Sequence, residues 1–273
     1  MKCTINNAEI HYEIRGEGRP IVLIHGFCLD RRALTHPLEP ILEAQGGWKR
    51  IYLDLPGMGR SPASKSIENS DQMLASVSAF IGQILGDETY TLFGYSYGGY
   101  LAQGLVREQP ERITGVALLC PVIFAPHEER SLPPETCLVR DDAFLDAIPA
   151  DQRAEFETNT VIQTQAVWER TQREIQAGLD CAKGDYCDRL QALGYRFSFP
   201  VFPLSKPFDK PSLVLTGRQD NIVGSLDQFN LAESYPRATI ASLDRAGHHL
   251  QIEQDRLFDI LVADWLERVR LER

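Results

Sequence analysis

The sequence predicts an α/β protein in which a mostly parallel central sheet is flanked by helices and interrupted by one long helical insertion. Three observations lead there. Short apolar, β-branched runs alternate with longer runs of helical periodicity almost from end to end. Several of the short runs, such as Ile21-Val22-Leu23-Ile24 and Leu213-Val214-Leu215, are apolar throughout rather than alternating, as strands covered on both faces are. One stretch, 122–208, breaks the rhythm with helical patterns and no convincing strand.

In chain order, strands are expected at 9–14, 20–25, 50–53, 89–95, 114–120, 212–216 and 239–243. Helices are expected at 70–85, 97–108, 226–234 and 255–268, where apolar residues recur at helical spacing and Pro110 and Pro236 supply stops. Within 122–208 the helical patterns fall at 141–148, 151–161, 165–177 and 185–193. That insertion is far longer than the connections of about 2–6 residues usual in α/β units. Leaving from a strand's carboxyl end, it falls where such sheets place their ligand crevice. The expected organisation is a core of 1–121 and 209–273 with a helical cap, or lid, at 122–208; a separate domain is the alternative.

A chain of 273 residues with 43% hydrophobic and 24% charged positions can bury a large core. The formal net charge of -10, with no basic run, argues against sequence-independent binding to nucleic acid. The first residues lack a basic and apolar leader pattern, and no apolar stretch approaches bilayer length, so a cytoplasmic protein without a membrane span is expected. Six cysteines (Cys3, Cys28, Cys120, Cys137, Cys181, Cys187) are scattered without a C-x-x-C pair and read as buried free thiols. Neither they nor the six histidines have the spacing of a zinc site, and no metal is expected.

The chemistry concentrates in Gly94-Tyr95-Ser96-Tyr97-Gly98-Gly99, a G-x-S-x-G run between the strand Tyr90-Thr91-Leu92-Phe93 and a helix, which is the form of a nucleophile elbow. A serine there sits in a strained turn, side chains at Gly94 and Gly98 would collide with backbone, and the helix aims its positive end at the site. A serine hydroxyl needs a base to take its proton. Of six histidines, His11, His36 and His127 fall in a strand, an early loop and the insertion. His248 and His249, after Ala246-Gly247 and the last strand, are the candidates, with Glu253 nearby. A carboxylate orienting that histidine is expected between serine and histidine in the chain, and Asp220 follows a strand there; the alternative is an aspartate serving only its own turn. Two backbone N–H groups must meet the developing oxyanion. Tyr97, after the nucleophile, supplies one, and Phe27, where Ile21–Ile24 runs into His25-Gly26, is expected to supply the other, with His25 bracing the loop.

These motifs, together with Asp54-Leu55-Pro56-Gly57-Met58-Gly59-Arg60-Ser61, resemble the α/β-hydrolase superfamily over about 21–253. The resemblance implies the α/β-hydrolase fold with Ser96, Asp220 and His248 as catalytic residues. A histidine directly after glycine is the family's pattern and favours His248 over His249. Serine at the elbow departs from the aspartate of epoxide and haloalkane hydrolases. Tyr95 and His249 depart from the asparagine and aromatic residue usual in its carbon-carbon bond hydrolases. Tyr100 departs from the arginine usual in a menaquinone-pathway synthase of this fold. The reading is a carboxylesterase-like serine hydrolase that forms an acyl-enzyme and needs no cofactor. A carbon-carbon hydrolase or lyase on the same triad, or a receptor-like binding protein that retains it, are the alternatives. The insertion holds 14 Asp and Glu against 9 Lys and Arg, so a small, neutral ester is the expected substrate.

Overall fold

The computed structural model describes residues 1–272; Arg273, the end of the expected core, lies outside the described residues. Strands β1 (Lys2–Ile5) and β2 (Ala8–Arg15) form a hairpin whose two-residue turn, Asn6-Asn7, has positive φ at both positions. That is the backbone of a type I′ turn, which asparagine tolerates and which matches the strand twist. β3 (Arg19–Ile24), α1 (Arg32–Gln45), β4 (Trp48–Leu53), α2 (Ser70–Leu85), β5 (Tyr90–Tyr95), α3 (Tyr97–Glu108) and β6 (Ile113–Leu119) follow as βα units.

The segment after β6 holds a two-residue strand β7 (Val139–Arg140), α4 (Asp142–Leu145), α5 (Ala150–Asn159), β8 (Ile162–Gln163), α6 (Gln165–Thr171), a π-helical turn at Gln172–Gln176, α7 (Ala177–Leu179) and α8 (Gly184–Leu193). The core resumes with β9 (Ser212–Gly217), β10 (Ala238–Leu243), α9 (Leu250–Glu253) and α10 (Asp255–Leu271). The main sheet has the order β1-β2-β4-β3-β5-β6-β9-β10, parallel except where β2 pairs β1 and β4.

The fold class matches the sequence expectation, and α2 and α3 fall at the expected residues. Four local expectations are corrected. His36 lies inside α1 rather than in a loop; Pro37 and Pro40 sit within that helix and hid it, because proline withholds the N–H that propagates a helix. The expected helix at 226–234 is a 3-10 segment, Asp227–Ala232. The insertion does hold strand, the parallel β7–β8 pair, although each member is two residues long. The cysteines are free, but only Cys120 and Cys187 are buried; Cys3, Cys28 and Cys181 are half-buried and Cys137 is exposed.

β3, β5, β6 and β9 are apolar because helices cover both faces, whereas β2 alternates buried and half-buried positions. α10 buries Phe258, Val262, Trp265, Leu266 and Val269 on one stripe, and Phe93 of β5 meets the rings of Phe258 and Trp265 edge-on at 6.4 and 6.2 Å. Burial of each such ring contributes roughly 1.5–3 kcal/mol, and truncating one leaves a cavity that costs about 3–5 kcal/mol. The strand order reverses between β4-β3 and β3-β5, so the loops after β3 and β5 part there and leave a crevice beyond the strands' carboxyl ends.

Candidate active site

Ser96 occupies the first bend after β5 with φ 55° and ψ -115°. A side chain held there costs about 1–3 kcal/mol, which the turn sustains through its own hydrogen bonds: Ser96 N–H donates to the Leu119 carbonyl (2.9 Å), and the Ser96 carbonyl accepts from Tyr100 (3.1 Å) and Val122 (3.3 Å). Only glycine fits beside it, because a Cβ at Gly94 would strike the Gly98 carbonyl and one at Gly98 would strike the Ile24 carbonyl.

The loops after β5, β9 and β10 bring the three expected residues together. Ser96 Oγ lies 2.9 Å from His248 Nε2, and His248 Nδ1 lies 2.8 Å from Asp220 Oδ2. Asp220 is sealed from solvent, and its other oxygen accepts from Ile222 N–H (2.9 Å) and Val223 N–H (3.0 Å). The carboxylate therefore serves its own turn and the imidazole at once, so the two sequence alternatives coexist. With Nδ1–H donated to Asp220, Nε2 of a neutral His248 has its lone pair toward the serine hydroxyl.

The loop after β3 lies against Ser96: a Cβ on Gly26 would sit 3.2 Å from Ser96 Cβ. His25 donates Nδ1–H to the Gly26 carbonyl (2.7 Å) and accepts Leu55 N–H at Nε2 (2.9 Å), which ties this loop to the 54–61 loop. Burial pushes the His25 imidazole's pKa down, in keeping with its acceptor nitrogen. Asp54, also buried, accepts Arg31 and Arg60 N–H and the Arg31 guanidinium, so it holds the loop's shape. Neither Phe27 N–H nor Tyr97 N–H meets an acceptor among the described residues. A cavity of 620 Å³ opens over Ser96, Phe27 and His248, with Leu193, Tyr195 and Arg196 of the insertion among its walls.

Four residues that sequence reasoning left without a role also shape the site. Glu253, buried, accepts Gly247 N–H at 2.6 Å on one oxygen and Val161 and Ile162 N–H at 2.5 and 3.1 Å on the other. It thereby joins the insertion to the residue before His248; burial raises its pKa against the pull of those donors. Tyr95 donates its hydroxyl hydrogen to the His248 carbonyl (3.0 Å) and sits 3.0 Å from His249 Nδ1. Burial, with His248 nearby, pushes the His249 pKa down to about 3, so that ring is neutral. Cys120, Asp220 and His248 offer ligand atoms within 4.8 Å of one another. Burial keeps the Cys120 thiol protonated and the other two are engaged with each other, so a metal there would have to dismantle the Ser96 relay. Nothing in local sequence marks Glu253 as reaching Val161 and Ile162, or Cys120 as lying beside Asp220 and His248, because those partners are far away in the chain.

A family model described as the α/β hydrolase fold matches residues 19–255. A pimeloyl-[acyl-carrier protein] methyl ester esterase of Aeromonas hydrophila is 27% identical over 239 residues, 85% of this chain and 89% of that one. A 2-hydroxy-6-oxononadienedioate/2-hydroxy-6-oxononatrienedioate hydrolase of Burkholderia vietnamiensis is 24% identical over 267 residues, 95% and 91% of the two chains. Among solved structures, an alpha/beta superfamily hydrolase from Oenococcus oeni PSU-1 superposes with a TM-score of 0.89 at 31% identity, covering 99% of both chains. Among the described residues, no helix is long and apolar enough to cross a membrane.

Proposed function

We propose, from the premise that this chain belongs to the α/β-hydrolase family, that it is a serine hydrolase cleaving small, neutral carboxylic esters with Ser96, His248 and Asp220. The observation that carries the reading is the continuous relay from Ser96 Oγ through His248 to Asp220, at 2.9 and 2.8 Å, opening on a 620 Å³ cavity.

Ser96 Oγ attacks the ester carbonyl while its proton passes to His248 Nε2. The imidazolium so formed is held by Asp220, and the oxyanion is met by the N–H groups of Phe27 and Tyr97. The carbon–oxygen bond breaks and the alcohol leaves with the proton from His248; water then attacks the acyl carbonyl, its proton passing to the same nitrogen, and the bond to Ser96 Oγ breaks as His248 returns that proton to the serine and the acyl group leaves as the carboxylic acid. The 122–208 segment acts as a lid in this reading. Supporting that role, it carries a large part of the cavity wall.

The esterase relative favours ester cleavage, and the carbon-carbon hydrolase relative keeps a second reading in view. Labelling with a fluorophosphonate, followed by a panel of p-nitrophenyl esters and a vinylogous diketone, separates them. Labelling at Ser96 with ester turnover is the expected result. Turnover of the diketone alone would transfer the activity to carbon-carbon cleavage, and tight ligand binding without turnover of either would make the protein a receptor.

A further inference from the structure

The catalytic cavity has two neighbours of opposite character. A 340 Å³ cavity shares Asn159, Ile175, Leu179 and His249 with it and is otherwise faced mainly by Gln152, Thr171, Gln172 and Gln176, with Phe156 and Trp168 also in its wall and Glu155 and Asp180 at exposed positions. No lysine or arginine lines it among the described residues. A 510 Å³ cavity that shares Ala125 and Arg196 with the catalytic one is walled by Tyr100, Phe124, Phe197, Phe199 and Phe202, with Glu129 at its edge. A series of rings leads toward it from Tyr97: Tyr97 is tilted against Tyr195 at 4.8 Å, Tyr195 is parallel to Tyr100 at 6.4 Å, and Tyr100 stacks on Phe197 at 4.2 Å and Phe197 on Phe199 at 4.8 Å.

His249 stands between the catalytic and polar cavities, and its protons can be placed. The His248 carbonyl can only accept, so Tyr95 gives it the phenolic hydrogen (3.0 Å). The Tyr95 oxygen then presents lone pairs to His249 Nδ1 at 3.0 Å, so Nδ1 carries the hydrogen. A neutral imidazole has one N–H, which leaves Nε2 as an acceptor. Nε2 accepts from no group among the described residues, and it is not one of the buried side-chain atoms sealed without a partner; the ring borders both cavities. The leaving alcohol must lie on the histidine side, because it takes its proton from His248, whose ring centroid is 6.0 Å from that of His249.

We propose that His249 is a specificity-determining residue: its Nε2 accepts a hydrogen bond from a hydroxyl of the leaving alcohol, so the preferred substrates are esters joining an apolar acyl group to an uncharged, hydroxylated alcohol. The acyl group takes the aromatic flank and the alcohol the polar cavity. This rests on the ester-hydrolase reading above.

The test compares kcat/KM of the wild type on butanoate esters that share one acyl group and differ in the alcohol: 2,3-dihydroxypropyl, propyl, 2,3-dimethoxypropyl and choline. One neutral hydrogen bond predicts that the dihydroxypropyl ester is favoured over the propyl ester by about three- to tenfold. The dimethoxypropyl ester, with no O–H to give, should lose that advantage, and His249→Phe should bring the dihydroxypropyl-to-propyl ratio to about one. Brisk turnover without a dihydroxypropyl preference overturns this inference alone, whereas turnover of none of the four overturns the ester reading with it. Equal rates for the dimethoxypropyl and dihydroxypropyl esters refute the acceptor. A ratio unchanged in folded His249→Phe removes the residue from the account, and a preference for the choline ester reassigns the cavity to cations. The dimethoxypropyl comparison needs no variant, so a Phe variant that fails to fold leaves the test decisive.

Discussion

Burial of neutral His249 should make the protein lose stability on mild acidification, by an amount that can be isolated with one substitution. In the unfolded chain this imidazole returns to its ordinary value of 6.5, whereas in the folded chain it is held down to about 3. Because the folded value is depressed, the contribution is present above pH 6.5 and is lost as pH falls toward 3, as the unfolded state takes up a proton that the folded state refuses. At 1.36 kcal/mol per pH unit, going from pH 7 to pH 5 removes about 2 kcal/mol through this residue. His25, also depressed by burial, adds loss of the same sign and stays in the background of both proteins. Urea unfolding of wild type and His249→Phe at both pH values, followed by tryptophan fluorescence, gives the difference directly. The variant should be less stable at pH 7, having lost the Tyr95 contact, yet its loss between pH 7 and 5 should be about 2 kcal/mol smaller than that of the wild type. Equal losses in the two proteins would falsify the neutral, Tyr95-bound ring and with it the acceptor at Nε2.

Ser96→Ala should lower kcat by about 10⁴- to 10⁶-fold with folding intact, His248→Ala by a similar factor, and His249→Ala by far less; steady-state kinetics that reverse the two histidines would move the base to His249. Glu253→Gln sets an amide NH₂ against at least one of the three buried N–H donors, which costs about 2–3 kcal/mol. A thermal melt should show this as a fall of about 5–10 °C, with kcat reduced through Gly247, and a variant melting with the wild type would show that the tie is idle. Neutral short- to medium-chain esters should show higher kcat/KM than matched dicarboxylate half-esters, with the gap narrowing as salt screens the acidic insertion; equal rates at low ionic strength would mean that this charge faces away from the entrance.

What could be read from the sequence was whatever local chemistry encodes. The periodicity of α2 and α3 located both helices to the residue, and the apolar runs located most strands to within a residue or two. α1 escaped because Pro37 and Pro40 speak against a helix locally, while packing of Leu34, Leu38, Ile41 and Leu42 on the core prevails. β1 is four residues of mixed polarity whose partner is set by the Asn6-Asn7 turn rather than by hydrophobic pattern. At the site, the placing of Ser96 was legible because its strain demands glycine on both sides, and that of Asp220 and His248 because they sit in the loops just past β9 and β10. The part of Glu253 was not, since it depends on Val161 and Ile162 arriving from some ninety residues away beside the nearby Gly247.

That carboxylate has a mechanical consequence. One side chain grips the edge of the insertion at Val161 and Ile162 and the hinge of the histidine loop at Gly247, within hydrogen-bonding range of both. Lifting this edge away from the sheet therefore pulls on the loop that carries the imidazole or strands buried donors without an acceptor. Seating of the insertion's edge and the alignment of His248 with Ser96 and Asp220 are thus held by the same carboxylate, so disturbing one disturbs the other.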